Sequence, residues 1–283
     1  MKGQCRVATL VLGGGGALQL WGWLAEFANG GGTLSPLISS AVPIRQVCTT
    51  RFPDTHLSVL EALRTGDQAS RRDAADLLVR AYRAPVMAAL SWKWNLEPAD
   101  AEDLVQEFFA SAIEKRWLER FDPTRARFRT YLRVAADRFA ANAQQAAGRL
   151  KRGGNTHGTA LELHEIAGTD GDAEADAHFR AAWVRSVLSL AVAALHDEAN
   201  AQARQRHFAL FEAYDLADLP DDERPTYAAL GTRYQLSDSQ VINHLAWARR
   251  RFRSHVLDVL RQLAGSESEY REDVRDLLGI DAS

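Results

Sequence analysis

The strongest constraint on the fold is the spacing of apolar residues, which is helical from residue 51 to near the end of the 283-residue chain. This spacing begins with pairs such as Leu60 and Leu63, and it ends with pairs such as Val274 and Leu277. Side chains three and four residues apart share one face of an α-helix, whereas a half-buried strand needs strict alternation. No segment shows that alternation, so we predict an all-α fold.

The periodic segments predict a series of helices joined by turns. The helices are expected at about 57–66, 70–92, 98–112, 128–147, 178–214 (as two segments) and 226–263, with a short amphipathic tail beyond them. Pro85 is expected to kink the second helix, and Pro98 suits the first turn of the third.

Between residues 148 and 176 glycine and small polar residues replace the apolar spacing, which is typical of a flexible linker. We therefore divide the chain into four parts. They are an N-terminal extension at 1–50, a helical domain at 51–149, a linker at 150–177, and a second helical domain at 178–283 that holds a helix-turn-helix at 226–253 and a C-terminal tail.

The first fifty residues carry a glycine run, Gly13–Gly16, between two apolar stretches. A signal peptide, or a membrane span of about 20 uninterrupted apolar residues, is disfavoured because the glycines and Gln19 break the run. The run also lacks the spacing of a P-loop or a dinucleotide-binding loop. We expect a poorly ordered extension; a phosphate-binding or hydrolytic enzyme built on the glycines is the third function class that we consider.

The only two cysteines, Cys5 and Cys48, form neither a CxxC pair nor a Cys/His pattern. This usage predicts no metal site and no disulfide framework, and it favours a reducing cytoplasm. No cluster of residues suggests catalysis, so we expect neither an enzyme nor a cofactor.

The formal net charge is only −3, but the charges are segregated along the chain. Residues 97–107 contain five acids and no base, whereas residues 120–152 contain nine bases and two acids. Separate acidic and basic surfaces predict two different partners.

The acidic segment places Asp100, Asp103 and Glu107 on one face of a helix, opposite an apolar stripe. A solvated surface would give the same pattern. A hydrolase with paired carboxylates is disfavoured because no histidine or metal-like partner accompanies the acids.

The basic segment combines arginines with aromatic residues over a turn and the helix that follows it. Phe128, Leu132, Ala135 and Phe139 have core spacing, and the arginines lie among these aromatic residues. Such a surface can hold a single nucleic-acid strand by phosphate contact and base stacking.

The segment from Thr226 to Phe252 has the pattern of a helix-turn-helix. Thr226 and Ser237 can cap its two helices, Leu236 fills the turn, and Val241 and Leu245 begin a buried stripe. The opposite face then displays side chains suited to the major groove of DNA. Its candidate base-reading residues are Ser239, Gln240, Asn243, His244, Trp247 and Arg250, with Arg249, Arg251 and Arg253 for phosphates. An ordinary helical hairpin with a solvated basic end is the alternative.

Together these segments resemble an extracytoplasmic-function (ECF) sigma factor. The motif DAEDLVQEFF at 100–109 is similar to the helix that docks on the β′ clamp helices of core RNA polymerase, and FDPTRARFRTYL at 121–132 is similar to the segment that opens the −10 element. The helix-turn-helix resembles the module that reads the −35 element and meets the β flap. The resemblance implies a polymerase-binding set of Asp100, Glu102, Asp103, Gln106 and Glu107, and a −10 set of Arg125, Arg127, Arg129, Tyr131, Arg133, Asn142, Lys151 and Arg152.

The partners implied are therefore core polymerase and promoter DNA, both duplex and melted, with no membrane. The motifs EKRWL and LKRGG further resemble variants common in planctomycetes and some proteobacteria. Some of those act with a Ser/Thr kinase, so a kinase or an anti-sigma factor is a possible regulator. Ile242 and Trp247 depart from the basic residues frequent in the family. A helix-turn-helix regulator that acts without polymerase is the alternative function.

Overall fold

The computed structural model describes residues 59–151, 173–217 and 223–279, and the part it describes is helical, without a strand. The fold is all-α, as predicted. The helices are α1 Val59–Thr65, α2 Gln68–Trp94, α3 Pro98–Glu114, α4 Phe128–Lys151, α5 Ala173–Ala201, α6 Gln205–Phe211, α7 Tyr227–Tyr234, α8 Asp238–Leu263 and α9 Glu267–Leu278. A 3₁₀ turn covers Trp117–Arg120, and a π-helical turn covers Glu212–Leu216.

Two compact units make up the chain. The larger unit contains residues 58–198 and 251–270, and the smaller unit includes residues 199–250 and 271–283. The predicted linker, 150–177, overlaps helix at both ends, because α4 reaches Lys151 and α5 begins at Ala173. The rest of that linker and the predicted extension at 1–50 lie outside the described residues.

The larger unit is built around the apolar faces of α2, α3 and α4. Asp67 caps α2 by accepting a hydrogen bond from Ser70 N at 2.8 Å, and α2 continues through Pro85. Pro98 opens α3 as expected. Aromatic rings fill the space between these helices: Tyr82 meets Phe128 edge-on at 5.4 Å. The spacing seen in the sequence therefore builds one continuous core.

The start of α4 is held by a segment distant in sequence. The Glu269 carboxylate accepts hydrogen bonds from Phe128 N and Gly265 N, each at 3.0 Å. Glu269 is buried, with 4% of its surface exposed. It satisfies one of the backbone donors that every helix leaves unpaired at its N-terminus. Residues 251–270 thus complete the larger unit.

The smaller unit has its own core, in which Leu210, Leu230, Val241 and Leu245 are buried. Partly buried tyrosines pack against this core, and the hydroxyl of one of them, Tyr234, donates to the Ala209 carbonyl at 3.4 Å. Helices α6, α7 and the first half of α8 meet in this core.

A tight turn joins α7 to α8, as the capping residues predict. Thr226 accepts a hydrogen bond from Ala229 N at 3.2 Å and so caps α7. Gln235 ends that helix in the left-handed region, with φ 55°. Ser237 and Gln240 then form a capping box, because Ser237 N donates to Gln240 Oε1 at 2.9 Å and Gln240 N donates to Ser237 Oγ at 3.3 Å.

Gly231 sits where α7 passes closest to this turn. A Cβ atom there would lie 2.6 Å from the Leu236 carbonyl oxygen, well inside van der Waals contact. Alanine normally favours a helix over glycine by up to about 1 kcal/mol. Here the clash outweighs that preference, and we expect Gly231→Ala to destabilise the smaller unit by roughly 1–3 kcal/mol. Hydrogen exchange across residues 223–250 measures it. Thr232→Ala, at the exposed next position, is the control and should leave exchange unchanged or slower; equal exchange in the two variants would contradict the clash.

Candidate functional sites

The acidic face of α3 is fully formed. Successive turns bury Val105, Phe108 and Ala112 in the larger unit. All five predicted polymerase-binding residues are exposed on the other side of the helix: Asp100, Glu102, Asp103, Gln106 and Glu107. The structure therefore brings this predicted set together on one surface.

Two neighbours modify that surface. Arg83 of α2 forms an ion pair with Glu102, which partly neutralises one of the acids. Ile113 is 42% exposed, one of three exposed large apolar side chains among the residues that the structure describes. Gln106, Ala110 and Ile113 follow helical spacing, so Ile113 extends the face by an apolar step. Ile113 is absent from the predicted polymerase-binding set, although its spacing of seven residues from Gln106 places it on the same helix face.

The basic turn before α4 presents two of its arginines to solvent. Arg125 and Arg127 are both exposed, and Arg125 lies 3.4 Å from the Asp122 carboxylate. Asp122 also accepts hydrogen bonds from the Thr124 hydroxyl and backbone at 2.7 and 2.9 Å. Those bonds, the side-chain one first, lower the pKa of Asp122. The carboxylate thus fixes the turn, and Arg125 and Arg127 lie on its exposed surface.

Two residues of the predicted −10 set lie inside the larger unit instead. Tyr131 is 7% exposed, and its hydroxyl donates to the Trp117 carbonyl at 3.0 Å. Burial raises its pKa. Arg133 is also 7% exposed and forms an ion pair with Asp176 of α5. The resemblance puts both residues in the −10 set, whereas the structure buries them and engages both in contacts within the larger unit.

The remaining members of the −10 set differ in accessibility. Arg129 is half-buried, with its guanidinium 4.0 Å from the centre of the Trp183 ring of α5. Asn142 is half-buried on α4. The side chain of Lys151 and all of Arg152 lie outside the described residues. Among the described members of the −10 set, the exposed positive charge therefore lies on the turn rather than along α4.

The predicted reading face of α8 is mostly open. Ser239, Asn243 and Arg250 are exposed. Gln240 is exposed as well, but its side-chain oxygen is engaged in the capping box. His244 and Trp247 are half-buried against α6.

His207 of α6 is the reason for that partial burial. Its ring centre lies 3.9 Å from that of His244 and 5.1 Å from that of Trp247. The Arg204 guanidinium lies 4.9 Å from the centre of the Trp247 ring. Burial lowers the pKa of His207 to about 4, helped by the charges of His244 and Arg204. Burial also lowers the pKa of His244, helped by Arg206 and Arg204.

The low pKa of His207 predicts acid sensitivity in the smaller unit. Its ordinary value is 6.5, so between pH 6.5 and about 4 the unfolded chain binds more protons than the folded one. Stability is therefore complete above pH 6.5 and falls as the pH drops through this window. We expect hydrogen exchange at 205–217 and 223–250 to accelerate, at matched intrinsic rate, between pH 7 and 5.

Replacing His207→Phe keeps an aromatic ring but removes the titration, so the acid-induced change should shrink. His196→Phe, on the exposed surface, is the matched control and should behave as the unaltered chain. An identical pH response in all three proteins would contradict the assignment to His207.

Two of the arginines expected to contact phosphates are occupied elsewhere. Arg249 donates to both oxygens of Asp215 at 2.8 and 3.0 Å. Arg251 donates to Glu198 at 2.9 Å, and His255 lies 2.8 Å from the same carboxylate. Burial of Glu198 raises its pKa, but these hydrogen bonds and charges outweigh it, and its pKa is lowered overall. Among the described residues, no such ion pair engages Arg250 or Arg253 of that basic flank.

Within the described residues, no group of three or more His, Cys, Asp or Glu side chains is placed to hold a metal ion. None of the described helices combines the length and the apolar character needed to cross a membrane.

Residues 78–149 match the family model for sigma-70 region 2. The match spans most of α2, all of α3, the basic turn and α4 to within two residues of its end. No curated protein and no solved structure matches the chain. The match covers 72 of the 283 residues, so over this segment the chain is similar to a sigma-70 region 2 domain. That likeness supports a role in transcription initiation. Core RNA polymerase and promoter DNA are the partners that this domain supports.

Proposed function

We propose that this protein is a sigma factor of the ECF type that binds core RNA polymerase and directs it to particular promoters. One observation carries the proposal: the family match at 78–149 covers both the exposed acidic face of α3 and the exposed basic turn before α4. Those are the two surfaces that the proposed function requires of this unit.

The acidic face of α3 is proposed to dock on the β′ clamp helices. Asp100, Asp103 and Glu107 supply its charge, and Ile113 supplies apolar contact at its end. An interface of exposed charges gains much of its binding rate from electrostatic attraction and weakens as salt rises. Arg83 limits the contribution of Glu102, so we place the binding on the other three acids.

The basic turn is proposed to hold the melted −10 strand. Arg125 and Arg127 offer cations for phosphates, and Asn142 offers an amide to a base edge further along α4. Arg129 joins them only in part, because Trp183 covers it. Flipping a base out of a duplex costs a few kcal/mol, which stacking and phosphate contacts offset. Lys151 and Arg152 stay in the proposed set on sequence grounds alone.

The α7–turn–α8 segment is proposed to read the −35 element in duplex form and to approach the β flap. Ser239, Asn243 and Arg250 are its open base-reading candidates, and Asn pairs well with adenine in the major groove. The side-chain oxygen of Gln240 can contact a base only after it gives up its hydrogen bond from Ser237 N. Ile242, 45% exposed on the same helix, suits contact with a thymine methyl group.

The protein would act in the cytoplasm, where its polymerase lies, and would catalyse no reaction itself. An anti-sigma factor or a Ser/Thr kinase as its regulator is part of this proposal on resemblance alone, as is the kinship with planctomycete and proteobacterial variants. A duplex-binding regulator that never meets polymerase is the second candidate, favoured by the capped turn of the smaller unit.

Co-purification separates the two candidates. The full chain is mixed with core RNA polymerase from its own source and passed over a size-exclusion column at 0.1 and 0.5 M salt. We expect a complex at low salt that weakens at high salt. A chain that binds promoter duplex but never elutes with core would favour the regulator and would contradict the sigma-factor proposal.

A further inference from the structure

Helix α6 lies directly against the reading face of α8, although it is outside the helix-turn-helix. His207 contacts both His244 and Trp247, with ring centres 3.9 and 5.1 Å apart. Arg204, which precedes α6, places its guanidinium 4.9 Å from the centre of the Trp247 ring. The side chains beside the base-reading candidates are therefore supplied by residues 204–207.

Arg206 is a second cation of this segment. It is exposed, and its charge together with that of Arg204 disfavours protonation of His244. Arg206 directly precedes His207 in the first turn of α6, and Arg204 is the residue before that helix begins. Two cations thus lie on the segment whose histidine packs against the reading face of α8.

The positive charge expected from α8 itself is reduced by contrast. Arg249 is bound by both oxygens of Asp215, and Arg251 by Glu198. A guanidinium held by a carboxylate brings little net charge to a phosphate. The flank of α8 is thereby weakened as a phosphate-binding surface, and residues 204 and 206 are placed to compensate.

We propose that Arg204 and Arg206 contact the phosphate backbone of the duplex bound by α8, and that the Trp247 ring positions Arg204 for this contact. The inference rests on the proposed −35 function. Phosphate contacts set the position of a protein on DNA without reading its sequence. Cation–π contact with Trp247 restricts the Arg204 side chain, which lowers the entropy lost on binding. His207, neutral above pH 4, keeps the two rings together without adding charge of its own.

The test measures duplex binding by the full chain as a function of salt. The duplex is a 30-base-pair fragment that the chain itself enriches from a random pool, and a scrambled duplex is run beside it. Each phosphate contact contributes about 0.9 to the slope of log affinity against log salt. We expect Arg204→Ala/Arg206→Ala to lower that slope by about 2 and to weaken both duplexes by a similar factor, roughly tenfold or more near 0.1 M salt.

Three further variants are needed to interpret the result. Arg204→Lys/Arg206→Lys retains both charges and should recover most of the slope, because lysine also binds phosphates. Arg72→Ala/Arg185→Ala removes two exposed arginines of the larger unit and should leave the slope unchanged. Trp247→Leu should lower the affinity while the slope falls by less than 1, since it frees Arg204 without removing it.

The outcomes also separate this inference from the proposed function. If the unaltered chain binds duplex and the double alanine variant keeps its slope, the inference is wrong and the −35 proposal stands. If the slope falls but the lysine variant does not restore it, the arginines act by holding the fold and the phosphate contact is wrong. If the unaltered chain binds no duplex at all, the −35 proposal and the inference both fail.

Discussion

Reversing the charge of the acidic face, with Asp100→Lys, Asp103→Lys and Glu107→Lys together, is expected to abolish binding to core polymerase. The three side chains are exposed and contribute nothing to the core, so the variant should fold normally. Like charges brought together at an interface cost several kcal/mol, which corresponds to at least roughly a hundredfold in affinity. Fluorescence titration of the labelled chain with core polymerase measures the loss.

A triple variant elsewhere controls for net charge. Glu174→Lys, Asp197→Lys and Asp258→Lys change exposed acids by the same total charge, away from α3. This control should bind core polymerase like the unaltered chain. Both variants should keep their affinity for the enriched duplex. Equal loss of polymerase binding in the two triples, or loss of duplex binding with the first, would contradict the assignment of α3 to polymerase.

Asp215→Ala is expected to have the largest effect on stability. The Asp215 and Arg249 side chains are only 9% and 19% exposed, and the substitution leaves the guanidinium buried without its carboxylate. Breaking a buried pair from one side costs about 3–5 kcal/mol; we expect the lower end, roughly 3 kcal/mol, because Arg249 retains some solvent. Hydrogen exchange at 205–217 and 223–250 should accelerate by about two orders of magnitude, with little change at 78–146.

Replacing both partners tests the physical reason. Burial raises the pKa of Asp215, against the opposing effect of the Arg249 guanidinium, so desolvation of the carboxylate outweighs the attraction. An apolar pair avoids that cost, and Asp215→Leu/Arg249→Met should be close to the unaltered chain in stability. If the double variant is as unstable as Asp215→Ala, the effect does not arise from an unpaired charge.

Much of the fold could be predicted because its helices carry strong local signals. The caps at Thr226 and Ser237 and the proline at 98 depend on residues a few positions apart, and the structure has each where it was expected. The exposed acidic face of α3 could be predicted for the same reason, because a helix with a clear apolar stripe on one side leaves its other side exposed.

The failures all involve contacts between distant segments. The resemblance placed Arg133 in the −10 set, but it is buried and forms an ion pair with Asp176, 43 residues later. Arg249 was expected to contact phosphates, but it donates hydrogen bonds to Asp215, which lies 34 residues earlier. Glu269, 141 residues from Phe128, supplies a cap that no local pattern announces. Spacing reports which face of a helix is apolar, not which helix will cover it.

The His207 cluster was missed for a related reason. Trp247 and His244 were chosen as polar or reaching side chains opposite the apolar stripe, which is correct for α8 taken alone. Residues 204–207 precede the helix-turn-helix, and nothing in their local sequence predicts contact with α8.

Run-off transcription tests the central claim most directly. Core polymerase from the same source is combined with the pure full chain on genomic fragments, and the 5′ ends of the products are mapped. A sigma factor yields transcripts that start at a small set of shared promoter sequences, and the triple lysine variant of α3 yields none while the control triple is active. If core polymerase with the unaltered chain gives the same products as core alone, the chain is not a sigma factor.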